Sequence, residues 1–595
     1  MTATVEPTTV RDGKPRKGGI VTWACAPGFP PAVIFPFTPA ERMGTRNIIE
    51  FQMLMYRPLF YFGSDGTPSV DWSNSIGEAP VWSEDGLRCT IKVKPWKWSN
   101  GETLCADNVL FWVNLMRVKG DKYGEYVPGY FPDFCTDYGK VAEDTLYFEF
   151  DKKYSQHWML YNQLSTITPL PKAWDQTKDG PANASASLRD LDVAEVEAVY
   201  DFLMEEQGDH TDEGNAHRTR WASSPIWSVV SGPWRLKEYT EDGLVTFVPN
   251  EHYSGPSKAH LDEFRQVPTF SDEEQFDKLQ RGEFQVGYLP LSMATDRVAN
   301  PTDPGENPIG EHFTLVPQTA YCIRYFCLNY NNPTWKGKLF AQTYFRQALA
   351  KCLDQDSAVR DIYQGRAYRQ NGPVPMYPPS EHTAPSLRTG SGPHPFDPAR
   401  AKALLAENGW DTGVFPAVCV DADKAGVPAG EKLTVLMRYV EGRPALTRLM
   451  EQYKVDCAAA GIDMVLEEVY GSILVWEDAP CVPSEDNACL WELTCWNGGW
   501  AYHHPTGEIL FSTNAGGNFG HYTDSRADAL IAKTVTSDDP AVFHEYQEFI
   551  AREAPVIFTP NFPIRLFEVA NTLGGFGPVN PYGMINPENW YYLED

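Results

Sequence analysis

The residues best suited to chemistry gather in one stretch, Trp496-Asn497-Gly498-Gly499-Trp500-Ala501-Tyr502-His503-His504-Pro505. Trp496, Trp500 and Tyr502 offer flat aromatic faces, which stack on the apolar faces of sugar rings. Asn497, His503 and His504 can hydrogen-bond hydroxyl groups. Gly498 and Gly499 lack a Cβ and let a ligand come close to the backbone. Trp23, Phe29, Trp227 and Trp476 are further candidates for aromatic contact with a ligand, with core packing as the other reading of each. His503, His504 and Glu508 raise the question of a metal. Adjacent histidines do not readily converge on one ion, so hydrogen bonding is the expected role, and no metal or cofactor is expected.

Motifs for turnover are missing. The chain has no GxSxG elbow, no Walker A loop, no GxGxxG and no HExxH. Its many carboxylates read as a solvated acidic surface, and a glycosidase pair meets only in space. A binding protein is expected rather than an enzyme, with a secreted hydrolase as the remote alternative.

Composition narrows the partners. The 595 residues carry 50 Lys+Arg against 79 Asp+Glu, a net charge of −29. A surface this acidic argues against nucleic acid, whose phosphates need clustered cations. No apolar run approaches the roughly 18 residues of a membrane-spanning helix. Aromatic residues make up 13%, enough to fill a core and still line a cleft. The 12 cysteines include no CxxC pair, which excludes a zinc ribbon or a thioredoxin motif. Cys481 and Cys489 flank a Pro-containing loop and can close a small disulfide in an exported chain; buried free thiols are the other reading. Residues 1–17 are polar, lack the apolar run of a signal peptide, and read as a disordered leader.

The elements that must carry these residues are alternating strands and helices. Ile20 to Ala24 reads as a strand, followed by a stiff Pro-rich loop to Pro39. Cys89, Ile91 and Val93 alternate with polar neighbours, as do Leu146, Phe148 and Phe150, the pattern of half-buried strands. Residues 175–222 are polar and acidic around a helix at Val193 to Glu206, and read as a surface insertion. The spacing predicts a helix over 340–353. Asp397-Pro398 opens another, as an N-cap with Pro at the first helical position. Leu433, Val435, Met437 and Tyr439 alternate. A helical face of Leu446, Leu449, Met450, Tyr453 and Cys457 follows, ended by Gly461, and Ile462, Met464 and Leu466 alternate again. That is a βαβ unit with a right-handed crossover, and it makes the fold class α/β.

A series of short motifs resembles one family in order. Tyr56-Arg57-Pro58-Leu59, Trp82-Ser83-Glu84-Asp85-Gly86-Leu87, Trp98-Ser99-Asn100-Gly101-Glu102 and Ala106-Asp107-Asn108-Val109 come first. Ser231-Gly232-Pro233-Trp234, Pro249-Asn250-Glu251-His252-Tyr253, His260-Leu261-Asp262-Glu263 and Leu279-Gln280-Arg281-Gly282-Glu283 continue it. Phe345-Arg346-Gln347-Ala348-Leu349-Ala350, Leu353-Asp354 and the capped segment Asp397 to Trp410 complete it. From about Gly18 to about Phe558 the chain resembles the family 5 extracellular solute-binding proteins of ABC importers.

The resemblance implies a type II periplasmic-binding fold, with two α/β lobes, a hinge and an extra subdomain in the first lobe. Lobe I is then expected over 18–58, 226–314 and 558–595, its extra subdomain over 59–225, and lobe II over 315–557. It implies a receptor that closes on its ligand and delivers it to permease and ATPase subunits. A monomer is expected, outside the cell membrane or in the periplasm, tethered by a lipid on a Cys that this sequence lacks. In the peptide-binding members an Asp near the hinge holds the peptide ammonium. Here Ala501 takes that place, and His504 takes the place of a second Asp. A buried ammonium without a counter-charge is costly. Glu492 or Glu508 is a possible substitute. The expectation therefore leans to a short oligosaccharide, with an oligopeptide as the alternative.

Overall fold

The computed structural model describes residues 13–26, 30–39, 42–209, 215–290, 307–470, 474, 490–496, 498–501 and 503–594. The chain forms two compact units, and it passes between them after Gln318 and after Ile564.

The first unit holds residues up to Gln318 and from Arg565 onward. Its main sheet has seven strands in the order Trp234–Tyr239, Val245–Pro249, Glu263–Val267, Ile20–Ala24, Val286–Tyr288, Arg565–Ala570 and Phe313–Gln318. Ile20–Ala24 runs parallel to Glu263–Val267, with Trp23 opposite Gln266. The last two strands are antiparallel, with Gln318 opposite Arg565. A separate four-stranded antiparallel sheet contains Arg88–Lys92 and Thr145–Phe150. Cys89, Ile91, Leu146, Phe148 and Phe150 all point inward, as their alternation requires.

Two expectations are corrected in this unit. The stretch 175–222 is not a loose surface insertion. Its helix, Val193–Gln207, buries Val196, Val199, Tyr200 and Leu203 at helical spacing and packs beside the helix Ala106–Lys119. Gln207 accepts a hydrogen bond from the Phe35 backbone N–H at 3.1 Å, and its carbonyl accepts one from the Trp221 indole at 2.9 Å. Asp175, Gln207 and Arg218 of this stretch are buried as well. Part of the stretch expected as a leader is also ordered. Pro15 pairs with Leu593 and Arg16 with Tyr592, so the chain's start is tied to its last strand. Residues 1–12 lie outside the described residues.

The second unit, Thr319–Ile564, is built on a sheet ordered Asp463–Val469, Thr434–Val440, Leu493–Cys495, Cys322–Leu328 and Trp500–Ala501. Ile557–Thr559 also pairs with Cys322–Leu328. Thr434–Val440, the helix Pro444–Ala460 and Asp463–Val469 form the expected βαβ unit, with parallel pairing from Thr434↔Asp463 to Val440↔Val469. Gly461 ends the helix at φ +94°, where a side chain would be strained. Asp397 caps Pro398–Glu407, accepting the Arg400 N–H at 2.8 Å. The helix expected over 340–353 is shorter, Thr343–Lys351, and a separate helix, Trp335–Phe340, precedes it. Gln342 adopts extended backbone between them, so one apolar stripe spans a break.

Cys322–Leu328 is buried along its whole length. Phe326 and Leu328 face one core, with Met437, Leu449 and Tyr453; Ile323, Tyr325 and Cys327 face another, with Leu510, Tyr546 and Phe549. A strand with apolar side chains on both faces is covered on both sides. Every cysteine among the described residues is buried, and Cys481 and Cys489 lie outside them. No described helix is long and apolar enough to cross a membrane.

Candidate ligand-binding segment

The candidate segment begins where Leu493–Cys495 leaves the middle of the second unit's sheet. Trp496 turns back onto the neighbouring strand. Its ring meets Tyr325 edge-on at 5.5 Å and Phe519 edge-on at 5.7 Å. Gly498 lies beneath that ring, since a Cβ there would sit 2.4 Å from Trp496 Cδ1. Gly499 presses on Cys322–Leu328, where a Cβ would meet Cys322 Sγ at 2.8 Å and the Ile323 carbonyl at 3.0 Å. The structure thus gives both glycines a packing role within the unit.

Trp500–Ala501 then pairs antiparallel with the start of Cys322–Leu328, with Trp500 opposite Ile323 and Ala501 opposite Cys322. Among the described residues it is the edge strand of the sheet. The Trp500 ring packs 6.0 Å from Phe519, and its side chain hydrogen-bonds the Tyr325 hydroxyl. Burial pushes the Tyr325 phenol far above its usual range, so it stays a neutral partner. Trp496, Trp500 and His503 are half-buried, while Gly499 and Ala501 are exposed. His504 is buried, its ring 4.7 Å from Phe543 and 4.9 Å from His382. Asn497 and Tyr502 lie outside the described residues.

The other candidates divide. Trp23 and Trp227 are core residues, each 1% exposed. Trp23 stacks on Trp590 at 5.8 Å and meets Phe567 at 5.3 Å. Trp227 meets Trp174 at 4.9 Å, and its indole N–H donates to the Glu206 carbonyl at 3.2 Å. Neither offers a face to a ligand, which corrects their place among the contacts. Phe29 and Trp476 lie outside the described residues.

Both proposed substitute carboxylates already have partners. Glu492 accepts the Lys336 ammonium at 3.2 Å and the Leu436 N–H at 2.7 Å through one oxygen. Glu508 is buried and accepts the Thr506 hydroxyl, beside Tyr546. Sequence reasoning missed Arg324, a buried cation in an otherwise apolar strand. Its Nε donates to Asn561 at 3.2 Å and its guanidinium lies over Phe562 at 3.9 Å. The one charged letter in CIRYFCL was the available signal. Arg324, Cys495 and Gly498 line a cavity of about 10 Å³, room for one water. In the first unit, Cys105, Asp107 and Glu143 lie close enough to share an ion. Lys140 and Lys172 already place ammonium groups 2.8 Å from Asp107 and neutralise it.

The sequence pattern of the bacterial extracellular solute-binding proteins, family 5, in its middle region, matches residues 72–512. This chain belongs to that family. Family 5 proteins are extracellular or periplasmic binding proteins that work with the permease and ATPase of ABC importers. The oligopeptide-binding protein AppA of Bacillus subtilis is 22% identical over 531 residues, 87% of this chain and 83% of AppA. The AppA structure with a nonapeptide superposes with a TM-score of 0.64 at 19% identity, covering 98% of this chain and all of AppA. The substrate-binding protein CtaP of Listeria monocytogenes gives 0.70 at 18% identity, covering 97% of this chain and 100% of CtaP. The DppA protein of Helicobacter pylori, in complex with the peptide STSA, gives 0.62 at 17% identity, covering 97% and 99%. The fold is that of the type II periplasmic binding proteins.

Proposed function

We propose that this family 5 receptor captures short peptides, and that the segment from Trp496 to His504 is part of its grip. The observation that carries this reading is the edge strand Trp500–Ala501. It hydrogen-bonds Cys322–Leu328 on one side, and the exposed Gly499 and Ala501 flank Trp500. An extended peptide adds to such an edge through main-chain hydrogen bonds, which are independent of its sequence. The names of AppA and of the DppA complex support a peptide ligand in this family.

The aromatic segment gives the oligosaccharide reading less support than its composition suggests. Trp496 spends its ring on Tyr325 and Phe519, and Trp500 is tied to Tyr325 and Phe519. A sugar needs an open flat face, and these rings are half-covered by protein. Ala501 remains without a carboxylate, so the peptide is held by its main chain rather than by its ammonium group. Closure of the receptor on its ligand completes the binding, as in other hinge proteins. The receptor acts as a monomer.

Isothermal titration with short unmodified peptides tests this reading. Micromolar to sub-millimolar binding is expected. No heat with any peptide pool, alongside binding of an oligosaccharide, contradicts it.

A further inference from the structure

The first unit contains a cavity of about 80 Å³ beside its C-terminal segment. Gln318 lines it, together with Ser64, Asn580, Asn586 and the aromatic residues Phe567, Phe576 and Trp590. Gln318 is 3% exposed, and its Nε2 has no hydrogen-bond partner. A buried amide donor left unmatched costs on the order of 1–3 kcal/mol, so its retention calls for an acceptor. Three neighbouring polar side chains already have partners. Asn580 Nδ2 donates to the Phe62 carbonyl at 2.8 Å, Asn586 Oδ1 accepts the Tyr61 hydroxyl at 2.6 Å, and the Ser64 hydroxyl donates to Asp71.

No Asp, Glu, Lys, Arg or His lines this cavity. A charged group entering it would lose its hydration without gaining a counter-ion. A purely apolar group would leave the Gln318 donor unmatched. The volume exceeds a single water position, which needs roughly 10–15 Å³, and suits a group of a few heavy atoms. Gln318 is also the last residue before the chain leaves this unit, and Arg565, the first residue on its return, lies opposite it.

We propose that this cavity binds a small neutral amide or hydroxyl group whose oxygen accepts the Gln318 Nε2 hydrogen. Two sources carry that chemistry: the side chain of an Asn, Gln, Ser or Thr in a bound peptide, and a free small amide. The pocket itself does not depend on the peptide reading; only the first source does.

Met584 lines the same cavity and supplies the reporter. The whole chain is labelled with 13C-methyl methionine, the Met584 signal is assigned with Met584→Leu, and propionamide, propionate and propylammonium are titrated separately. The expected result is a saturable shift of the Met584 methyl with propionamide alone, weakened about tenfold in Gln318→Leu. Tetrapeptide pools differing only in Asn against Leu form a second arm. A Met584 shift with the Asn pool alone assigns the pocket to the peptide; a shift with propionamide and no peptide assigns it to a free amide. Absence of saturation with any neutral probe overturns the proposal, and the cavity then holds water only. Equal responses to the charged probes overturn it as well. Failure of all peptides to bind by calorimetry removes the peptide source and leaves the propionamide result standing.

Discussion

Trp500 lies directly opposite Ile323 in an antiparallel pair, at the edge of the second unit's sheet. Ile323 sits near the start of the strand by which the chain first enters that unit. Ile557–Thr559, which precedes the return crossing, pairs with the same strand. The segment proposed to hold ligand is thus hydrogen-bonded to one of the two crossing segments.

Gly499 tests that pairing. A Cβ at Gly499 would lie 2.8 Å from Cys322 Sγ and 3.0 Å from the Ile323 carbonyl. Gly499→Val is expected to displace the edge strand and weaken peptide binding at least tenfold, about 1.4 kcal/mol. Titration calorimetry measures the affinity, and circular dichroism checks that the variant is folded. Unchanged affinity would show that the edge strand does not touch ligand.

Trp500→Ala removes the ring that packs on Phe519 and bonds Tyr325. A loss of at least tenfold in affinity, about 1.4 kcal/mol, is expected, because that ring anchors the edge strand to Phe519 and Tyr325. Binding at wild-type strength would exclude Trp500 from the site.

Ala501 makes a prediction of opposite sign. With no carboxylate at this position, N-acetylated and free peptides should bind within about threefold of each other, less than 1 kcal/mol apart. Ala501→Asp should favour the free N-terminus by at least tenfold, since a paired ammonium regains a counter-charge. A wild-type protein that rejects acetylated peptides would mean that another carboxylate takes the ammonium.

Much of the fold was legible because it rests on local pattern. The βαβ unit showed itself in period-two and period-3.6 alternation bounded by Gly461, and Asp397-Pro398 announced its helix. The break at Gln342 did not, because Ala341 falls in register with the apolar face of Thr343–Lys351. Long-range partners were hidden altogether. Arg57 of the Tyr56-Arg57-Pro58-Leu59 motif forms a buried ion pair with Glu588, 531 residues away. The roles of Gly498 and Gly499 were hidden for the same reason, since their nearest obstacles are a folded-back tryptophan and a neighbouring strand. Trp23 and Trp227 looked like binding faces because composition does not separate a cleft aromatic from a core one.

Glu568 gives the chain a pH-dependent stability. It is fully buried, with one oxygen held by Asn307 at 2.9 Å and the other without a partner. Burial pushes its carboxyl up to about 8. In the unfolded chain the same group loses its proton near its ordinary value of about 4.3. The folded state therefore binds the proton more tightly. This stabilisation is complete below the unfolded value and is lost as pH rises toward about 8. Glu568→Gln keeps a neutral amide there at every pH. Its advantage over wild type should grow between about pH 4.5 and 8, toward roughly 4–5 kcal/mol. Thermal unfolding across that range measures it, and parallel curves for the two proteins would refute the buried-proton reading.

The most direct measurement of the ligand class is a parallel thermal-shift series with matched short peptides and short oligosaccharides. A ligand bound only by the native state raises stability by RT ln(1 + [L]/Kd), about 4 kcal/mol at a thousandfold excess over Kd. A rise in Tm with peptides, acetylated or free, and none with sugars is the predicted result. A rise with oligosaccharides alone would contradict it and return Trp496 and Trp500 to the role of a sugar platform.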